Sequence, residues 1–264
     1  MSATAIAIDT NRPGVPLSRL FKVELRKMFD TRSGFWLMMS IAIVSTIATI
    51  IVILVQGLAD DPGVTYGTFA GAIGFPMAVI LPIIAILAVT GEWSQRTGLI
   101  TFTLTPHRSQ VIAAKALAAV AVGVGSMILA MAIGALGNVI GSTITGGDMV
   151  WDVGVGDFFL IMLGNVLGLL IGFMLGVLIR NSAGAIVAYF VYSFLFPTMF
   201  GILAELVGWF KDLQPWIDFN FSQSKLFDPP VSGEEWAQLA TSSIIWFIIP
   251  MVFGIWAVLR SEVK

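Results

Sequence analysis

The stretch "FFLIMLGNVLGLLIGFMLGVLI", residues 158–179, contains no charged residue. A helix needs about 20 apolar residues to cross the roughly 30 Å of hydrocarbon in a bilayer, and this stretch exceeds that length. Its apolar residues are continuous and do not alternate with polar ones, which favours a helix over a strand of a membrane barrel. The stretch therefore predicts one transmembrane helix.

Five more charge-free runs divide the rest of the chain, and they are 33–59, 62–91, 116–147, 181–204 and 236–259. Only 11% of the 264 residues are charged and 57% are hydrophobic, whereas a soluble domain carries about 25% charged residues. Trimmed at Gly, Pro and polar residues, the runs predict helices at about 34–57, 66–90, 113–141, 157–179, 184–207 and 238–259. We therefore expect an all-α polytopic membrane protein whose six-helix transmembrane domain covers residues 34–259.

Lysine and arginine are concentrated in alternate connections between these runs. Of the 14 such residues, 12 lie in 1–33, 91–115, 180–183 and 260–264. The other connections hold only Lys211 and Lys225 among many acids, and they are 58–65, 142–156 and 208–237. The positive-inside rule then predicts a cytoplasmic N-terminus (1–33), a cytoplasmic tail (260–264) and a long outer loop (208–237). We expect the protein in the plasma membrane. The first 22 residues lack the pattern of a signal peptide.

Residues 16–31, "PLSRLFKVELRKMFDT", have helical spacing. One face collects Leu17, Leu20, Phe21, Leu25, Met28 and Phe29, while Arg19, Lys22, Arg26 and Lys27 lie elsewhere. This pattern favours an amphipathic helix in the cytoplasmic interface, with basic side chains toward lipid phosphates. The alternative is a plain basic flank that happens to be helical.

The outer loop 208–237 contains eight large apolar side chains: Trp209, Phe210, Trp216, Ile217, Phe219, Phe221, Leu226 and Phe227. A wholly solvated loop would not need them. We expect the loop to dip into the outer interface or to cap the helix bundle. The alternative is an ordinary loop whose aromatic side chains rest on lipid.

Glycines recur every four residues in the fourth span, at Gly164, Gly168, Gly172 and Gly176. Small residues at this spacing let another helix approach closely in lipid, so they predict a packing face. The third span carries a similar motif, with Gly137 and Gly141 around an asparagine. Asn138 and Asn165, one in each motif, could hydrogen-bond across the two antiparallel helices.

The segment "GEWSQRTGLITFTLTPHRSQVIAAK", residues 91–115, is far longer than a tight turn between helices requires. A solvated linker would not need its apolar centre, and a membrane span would not tolerate its charged flanks. We expect a short cytoplasmic helix or turn that docks on another component. Glu92 could instead cap or pair with Arg96, and Arg108 and Lys115 could simply follow the positive-inside rule.

This segment resembles the cytoplasmic loop of ABC-2-type transporter permeases. In that family the second span ends in Glu, a polar stretch with Gly and Thr follows, then an apolar stretch, a Pro with Ser or Arg after it, and a Lys that enters the third span. The matching residues here are Glu92, Arg96, Thr97, Gly98, Leu104, Pro106, Arg108 and Lys115. The layout of a basic amphipathic helix, six spans and a long outer loop before the last span is also similar.

The resemblance implies that the chain is the membrane-spanning permease subunit of an ATP-driven ABC transporter. Two permease chains, as a homodimer or a heterodimer, would assemble with two separate ABC ATPase subunits in the lipid bilayer, with no nucleic acid. The ATPase would bind ATP and Mg²⁺, and segment 91–112 would hold the coupling helix that fits a groove on it. An exporter of an amphipathic, lipid-like, glycan or drug-like substrate is implied.

Missing motifs narrow the alternatives. The chain has no phosphate-loop motif, so we expect no enzyme activity and no cofactor in this chain. No ionisable residue falls in the middle of a span, which argues against an ion-coupled carrier, and there is no cysteine to bind metal. The rivals are a secondary carrier and an integral membrane enzyme without an ATPase partner. The nearest enzyme-like cluster is Asp148, Asp152 and Asp157, which is more typical of a solvated acidic loop than of a cation site.

Overall fold

The structure, a computed structural model, describes residues 15–58, 64–94 and 108–260, and all regular secondary structure in these ranges is helical. The described helices are α1 (Leu17–Asp30), α2 (Arg32–Leu58), α3 (Tyr66–Ser94), α4 (Arg108–Thr145), α5 (Val155–Ile179), α6 (Ser182–Leu206), α7 (Gly208–Ile217), α8 (Phe219–Ser224) and α9 (Gly233–Arg260).

Six of these helices, α2 to α6 and α9, are long and apolar enough to cross a membrane. For the described residues, the prediction of helical structure with six apolar helices of membrane length is therefore confirmed. The largest differences in helix bounds come at α4 and α9, which begin at Arg108 and Gly233 rather than at 113 and 238. Residues 91–94 and 108–112 of the predicted coupling segment are thus helical, while 95–107 lie outside the described residues.

Consecutive long helices run in opposite directions. The hydroxyl oxygen of Thr90, near the end of α3, lies 2.7 Å from that of Ser182 at the start of α6. At the other end of the bundle, the N–H of Tyr66 donates to the carbonyl of Val150, just before α5, over 3.1 Å. We call the end at Ser182 the basic end and the end at Val150 the acidic end.

Helix α3 lies at the centre of the bundle, between α2, α4 and α5. Its side chains Ile73, Met77 and Leu81 are fully buried in one apolar cluster with Leu169 and Phe173 of α5. This core holds α3 and α5 together.

Helix α1 packs at the basic end against α4 and α2. Its predicted apolar face is divided: Met28 packs against the core, whereas Phe29 and Leu17 stay exposed. The most buried residue of α1 is an acid, Glu24, which is only 7% exposed. Contact with α4, and not only an apolar face toward lipid, therefore positions this helix.

Most of the predicted outer loop is helical and re-enters the bundle. After α6 ends, α7 runs back along it, so that Phe210 contacts Phe200 with ring centroids 5.7 Å apart. The carbonyl of Ile217, at the end of α7, accepts a hydrogen bond of 2.6 Å from the indole of Trp246, halfway along α9. We call residues 208–227 the return hairpin.

Buried side chains explain why this segment does not remain at the surface. Phe219 and Leu226 are almost fully buried, as are the polar residues Asp218 and Ser222. Asp218 accepts from the N–H of Phe221 and caps α8. Such backbone satisfaction is required of any irregular segment within the depth of a membrane bundle.

Two π-helical turns lie beside the return hairpin. One covers Val191–Leu195 in α6 and the other Ile244–Ile248 in α9. Each ends two residues before a proline, Pro197 or Pro250, and a proline inside a helix kinks it. Proline cannot donate a backbone hydrogen bond, so the wider i→i+5 pattern takes up the irregularity at these kinks.

The glycine stripe of α5 faces two different neighbours. A Cβ atom at Gly172 would lie 2.6 Å from the carbonyl oxygen of Pro82, and one at Gly176 would lie 3.3 Å from Val89 Cβ, so this half of the stripe faces α3. A Cβ atom at Gly164 or Gly168 would instead meet side chains of the return hairpin.

The glycines of α4 face other helices than α5. A Cβ atom at Gly137 would collide with Thr49 of α2 and Phe69 of α3, and one at Gly141 would lie 2.8 Å from the Gln56 side chain. The two predicted motifs are therefore close-packing sites, but they do not pack against each other.

The predicted hydrogen bond between Asn138 and Asn165 is wrong. The Asn138 amide donates to the carbonyl of Val150 over 3.0 Å, and the Asn165 amide donates to Ile161 within its own helix over 2.9 Å. The two motifs resemble one another in sequence but face different helices, so their asparagines do not meet.

Candidate functional site

Four charged side chains meet at the basic end, next to the chain positions that flank residues 95–107. Lys115 of α4 lies 2.6 Å from Glu24 of α1 and 3.2 Å from Glu92 of α3. Lys27 of α1 lies 2.7 Å from Glu24 and 3.1 Å from Glu92. We call these four residues the charge cluster.

The positions of these residues on their helices bring three helices together. Glu92 lies two residues before α3 ends at Ser94, and Lys115 lies two turns inside α4. Glu24 is near the middle of α1. The charge cluster therefore joins both flanks of segment 95–107 to the amphipathic helix.

Three members of the charge cluster are buried, and they are hydrogen-bonded to one another. Glu24 and Glu92 are each 7% exposed, and Lys115 is 5% exposed. Lys115 also donates to the carbonyl of Ala88 over 3.3 Å, so its three donors all face acceptors. Two acids and two bases balance each other, which is the condition under which buried charges persist.

Lys27 is the most solvent-accessible member, with nearly half of its side chain exposed. Partial burial on its own lowers the pKa of Lys27, but the hydrogen bond and charge of Glu24, together with Glu92, outweigh burial and raise that pKa. The ammonium group stays charged at physiological pH. Lys27 therefore closes the cluster on the side that faces solvent.

Arg108, the first residue of α4, contacts the last turn of α9. Its guanidinium donates to the carbonyl of Val258 over 3.1 Å. The last carbonyls of a helix lack partners within that helix, and a cation is favourable there. This contact joins the second flank of segment 95–107 to the sixth apolar helix.

The structure brings together only part of the predicted coupling set. Glu92 and Lys115 form a direct ion pair, and Arg108 lies on the same flank as Lys115. The remaining members lie outside the described residues, and they are Arg96, Thr97, Gly98, Leu104 and Pro106.

Sequence reasoning missed Glu24, and it assigned Lys27 to lipid phosphates, whereas the structure pairs Lys27 with Glu24 and Glu92. A signal for Glu24 was present, because it lies at helical spacing from Leu17, Phe21 and Met28, on the side of α1 that carries apolar residues. An acid on the apolar side of a basic helix requires a partner when that face is buried.

Of the three acids Asp148, Asp152 and Asp157, two serve as helix caps. Asp152 accepts from the hydroxyl of Thr65 over 2.6 Å and from the N–H of Gly67 over 2.7 Å, which caps α3. Asp157 accepts from the N–H of Gly154 over 2.9 Å, at the start of α5. In the ranges that the structure describes, no three metal-ligating side chains gather into a site.

Comparison with protein-family models finds no match for this chain, and comparison with curated proteins finds no significant match either.

Proposed function

We propose that the chain is the membrane-spanning permease subunit of an ABC-2-type transporter and that segment 91–112 couples it to a separate ATPase. The observation that carries the proposal is the charge cluster, in which Glu92 and Lys115 on the two flanks of that segment are ion-paired. These are two of the residues through which the segment resembles the family's cytoplasmic loop.

The cluster supplies a physical route for coupling. A force on residues 95–107 acts on the ends of α3 and α4 together, because the ion pair between Glu92 and Lys115 joins them. Glu24 and Lys27 extend the connection to α1, and Arg108 extends it to α9. Movement of a docked ATPase would thus shift four helices as one unit.

The remaining parts of the proposal follow from this assignment. The basic end faces the cytoplasm, with both termini on that side of the plasma membrane. Two permease chains assemble with two ATPase subunits that bind ATP and Mg²⁺. The cargo is an amphipath, because a cavity of the bundle is lined by apolar and neutral polar side chains, and export is the direction that the resemblance implies.

Affinity purification of the tagged chain from its native membranes tests the assignment. We expect a phosphate-loop ATPase to co-purify and to hydrolyse ATP faster with the chain than alone. Glu92→Gln should reduce both co-purification and stimulation. Absence of any phosphate-loop ATPase, or unchanged coupling in the variant at normal yield, would contradict the proposal.

A control tests whether the effect on coupling is specific to the charge cluster. Lys225 of the return hairpin and Glu235 of α9 form an ion pair of 3.8 Å that is remote from segment 91–112 in sequence. Glu235→Gln should leave co-purification and ATP hydrolysis unchanged. An equal effect of both substitutions would indicate that the loss of coupling is not specific to the charge cluster and would contradict the proposed role of Glu92.

A further inference from the structure

A cavity of about 230 Å³ lies between α3, α5, α6 and the return hairpin. Its polar lining includes Asn165 of α5, Tyr192 of α6 and Asn220 and Gln223 of the hairpin. Tyr192 lies within the π-helical turn near the midpoint of α6. The cavity is therefore at the level of the middle of the apolar helices.

Two polar atoms of this lining have no hydrogen-bond partner among the described residues. They are Oδ1 of Asn165, whose residue is 3% exposed, and the hydroxyl of Tyr192, whose residue is 7% exposed. An unpaired buried polar atom costs about 1–3 kcal/mol, so native proteins usually supply a partner. In a cavity wall, that partner is a ligand or water.

The amide nitrogens of the two hairpin residues in the wall are already engaged. The amide of Asn220 donates to the carbonyl of Tyr192 over 3.3 Å, and the amide of Gln223 donates to the carbonyl of Gly164 over 2.6 Å. These bonds hold the hairpin against α5 and α6. The groups of the wall without a partner include the amide oxygen of Asn165, which accepts, and the hydroxyl of Tyr192, which can donate or accept.

The electrostatic character of the cavity selects against ions. No charged side chain of the described residues lines it. A charged group would lose its hydration at this depth without a counter-charge, which is unfavourable by several kcal/mol or more. The wall suits neutral groups that carry hydroxyl or amide hydrogens.

The cavity opens on the apolar outer surface of the bundle. Phe75 of α3 and Phe194 of α6 both line it, and they are 71% and 48% exposed. A ligand whose polar part lies in the cavity could thus extend an apolar tail between these two rings. This arrangement of polar interior and apolar mouth matches an amphipath.

We propose that the cavity binds the neutral, hydroxyl-bearing head group of an amphipath, of the sugar or polyol class, with its hydrocarbon tail leaving past Phe75 and Phe194. Its role as a cargo site rests on the proposed function, whereas binding itself requires no ATPase. Oδ1 of Asn165 accepts a head-group hydroxyl, and Tyr192 exchanges a second hydrogen bond with it.

Photo-labelling of the full chain in phosphatidylcholine nanodiscs tests the site. The probe is a glucosyl diacylglycerol with a diazirine in one acyl chain, and the comparison probe is phosphatidic acid with the same chain. We expect the glucosyl probe to label the wild type at least about fivefold more strongly, a factor corresponding to one hydrogen bond. Labelled peptides should contain Phe75 or Phe194.

Variants connect the labelling to the cavity wall. Tyr192→Phe and Asn165→Leu should each reduce glucosyl labelling by about fivefold, since each removes one hydrogen-bonding group. Asn138→Leu is the matched control, because Oδ1 of Asn138 is also buried without a partner but does not line the cavity. Tyr192→Phe keeps the ring that packs on Trp246, so it tests the hydroxyl without repacking.

The outcomes separate the possible ligands. Equal labelling by both probes, or unchanged glucosyl labelling in both cavity variants, would overturn the proposal. Competition by octyl glucoside but not by methyl glucoside supports an amphipath, because the octyl chain adds apolar burial. Equal competition by both would contradict the assignment to an amphipath. Because no ATPase is present, failure of the coupling assay does not affect this result.

Discussion

The ammonium nitrogen of Lys115 lies 2.6 Å from Oε2 of Glu24, and both side chains are more than nine-tenths buried. This pair joins the N-terminal amphipathic helix to the third apolar helix, and Glu92 adds the second. A buried charge without a partner is far less favourable than the pair itself, so each member depends on the others.

Lys115→Met should lower the free energy of unfolding by about 3–5 kcal/mol, because it leaves two buried carboxylates with only Lys27 as a counter-charge. The double variant Lys115→Met/Glu24→Leu should recover part of this loss, since one of the two acids is removed. Denaturant unfolding in micelles, followed by tryptophan fluorescence, measures both.

Lys225→Met provides the control for the charge cluster. The Lys225–Glu235 pair is longer, at 3.8 Å, and its side chains are 38% and 26% exposed. Its loss should change stability by less than about 1 kcal/mol. If Lys115→Met and Lys225→Met lowered the free energy of unfolding by similar amounts, burial would not explain the contribution of the charge cluster to stability.

Gly172→Ala should destabilise the bundle by about 1–3 kcal/mol, because the added methyl group meets the backbone of Pro82, which cannot move without shifting α3. Gly168→Ala should cost less, since its nearest neighbour is the flexible end of Gln223 at 3.2 Å. Gly125→Ala, in open space on α4, is the control. Equal melting temperatures for all three variants would contradict the close approach of α5 to α3.

The cap that Asp152 forms on α3 predicts a dependence of stability on pH. Desolvation raises the pKa of Asp152, but hydrogen bonds from Thr65 and Gly67 outweigh it and lower that pKa below its ordinary value of 3.8. A lowered folded-state pKa means that the contribution to stability is complete above pH 3.8 and disappears as the pH falls through the folded value.

Asp152→Asn should therefore lower the melting temperature at pH 6, and the difference from the wild type should shrink as the pH falls below 3.8. Asp148→Asn is the control, because Asp148 lies in the same connection and is exposed. A difference between Asp152→Asn and the wild type that stays constant down to pH 3 would contradict the cap.

The long helices could be predicted because charge-free runs of membrane length have one favourable structure in lipid. The return hairpin could not be predicted in the same way. Its polar residues, including Asp218, resemble those of a solvated loop, and only packing against α5, α6 and α9 shows that they are buried. The eight large apolar side chains of residues 208–237 indicated that the segment contacts lipid or protein, but not how far it enters the bundle.

The charge cluster shows a similar limit for the candidate site. Glu92 and Lys115 could be predicted because a resemblance placed them at the flanks of one segment. Glu24 lies about 70 residues before Glu92 in the chain, and no local pattern indicates which helix it contacts. Pairing between distant helices depends on tertiary packing, which is also why the two asparagine motifs did not meet.

Tyr189 stabilises a carbonyl that proline leaves free. Pro82 has no N–H to donate to the carbonyl of Ala78 four residues earlier, and the hydroxyl of Tyr189 donates to that carbonyl over 2.5 Å. Tyr189→Phe should therefore lower the free energy of unfolding by about 1 kcal/mol, within the range measured for hydrogen bonds between membrane helices.

The same substitution should have a smaller effect in a Pro82→Ala background, because an alanine in place of the proline restores the backbone donor to the carbonyl of Ala78. A double-mutant cycle on Tyr189 and Pro82 in micelles measures this coupling. Tyr66→Phe is the control, since the Tyr66 hydroxyl donates to Met131 and not to a carbonyl freed by proline. Tyr66→Phe should lower the free energy of unfolding by the same amount in both backgrounds. Additive effects of Tyr189→Phe and Pro82→Ala would mean that the contribution of the Tyr189 hydroxyl does not depend on the missing backbone donor of Pro82, and would contradict this interpretation.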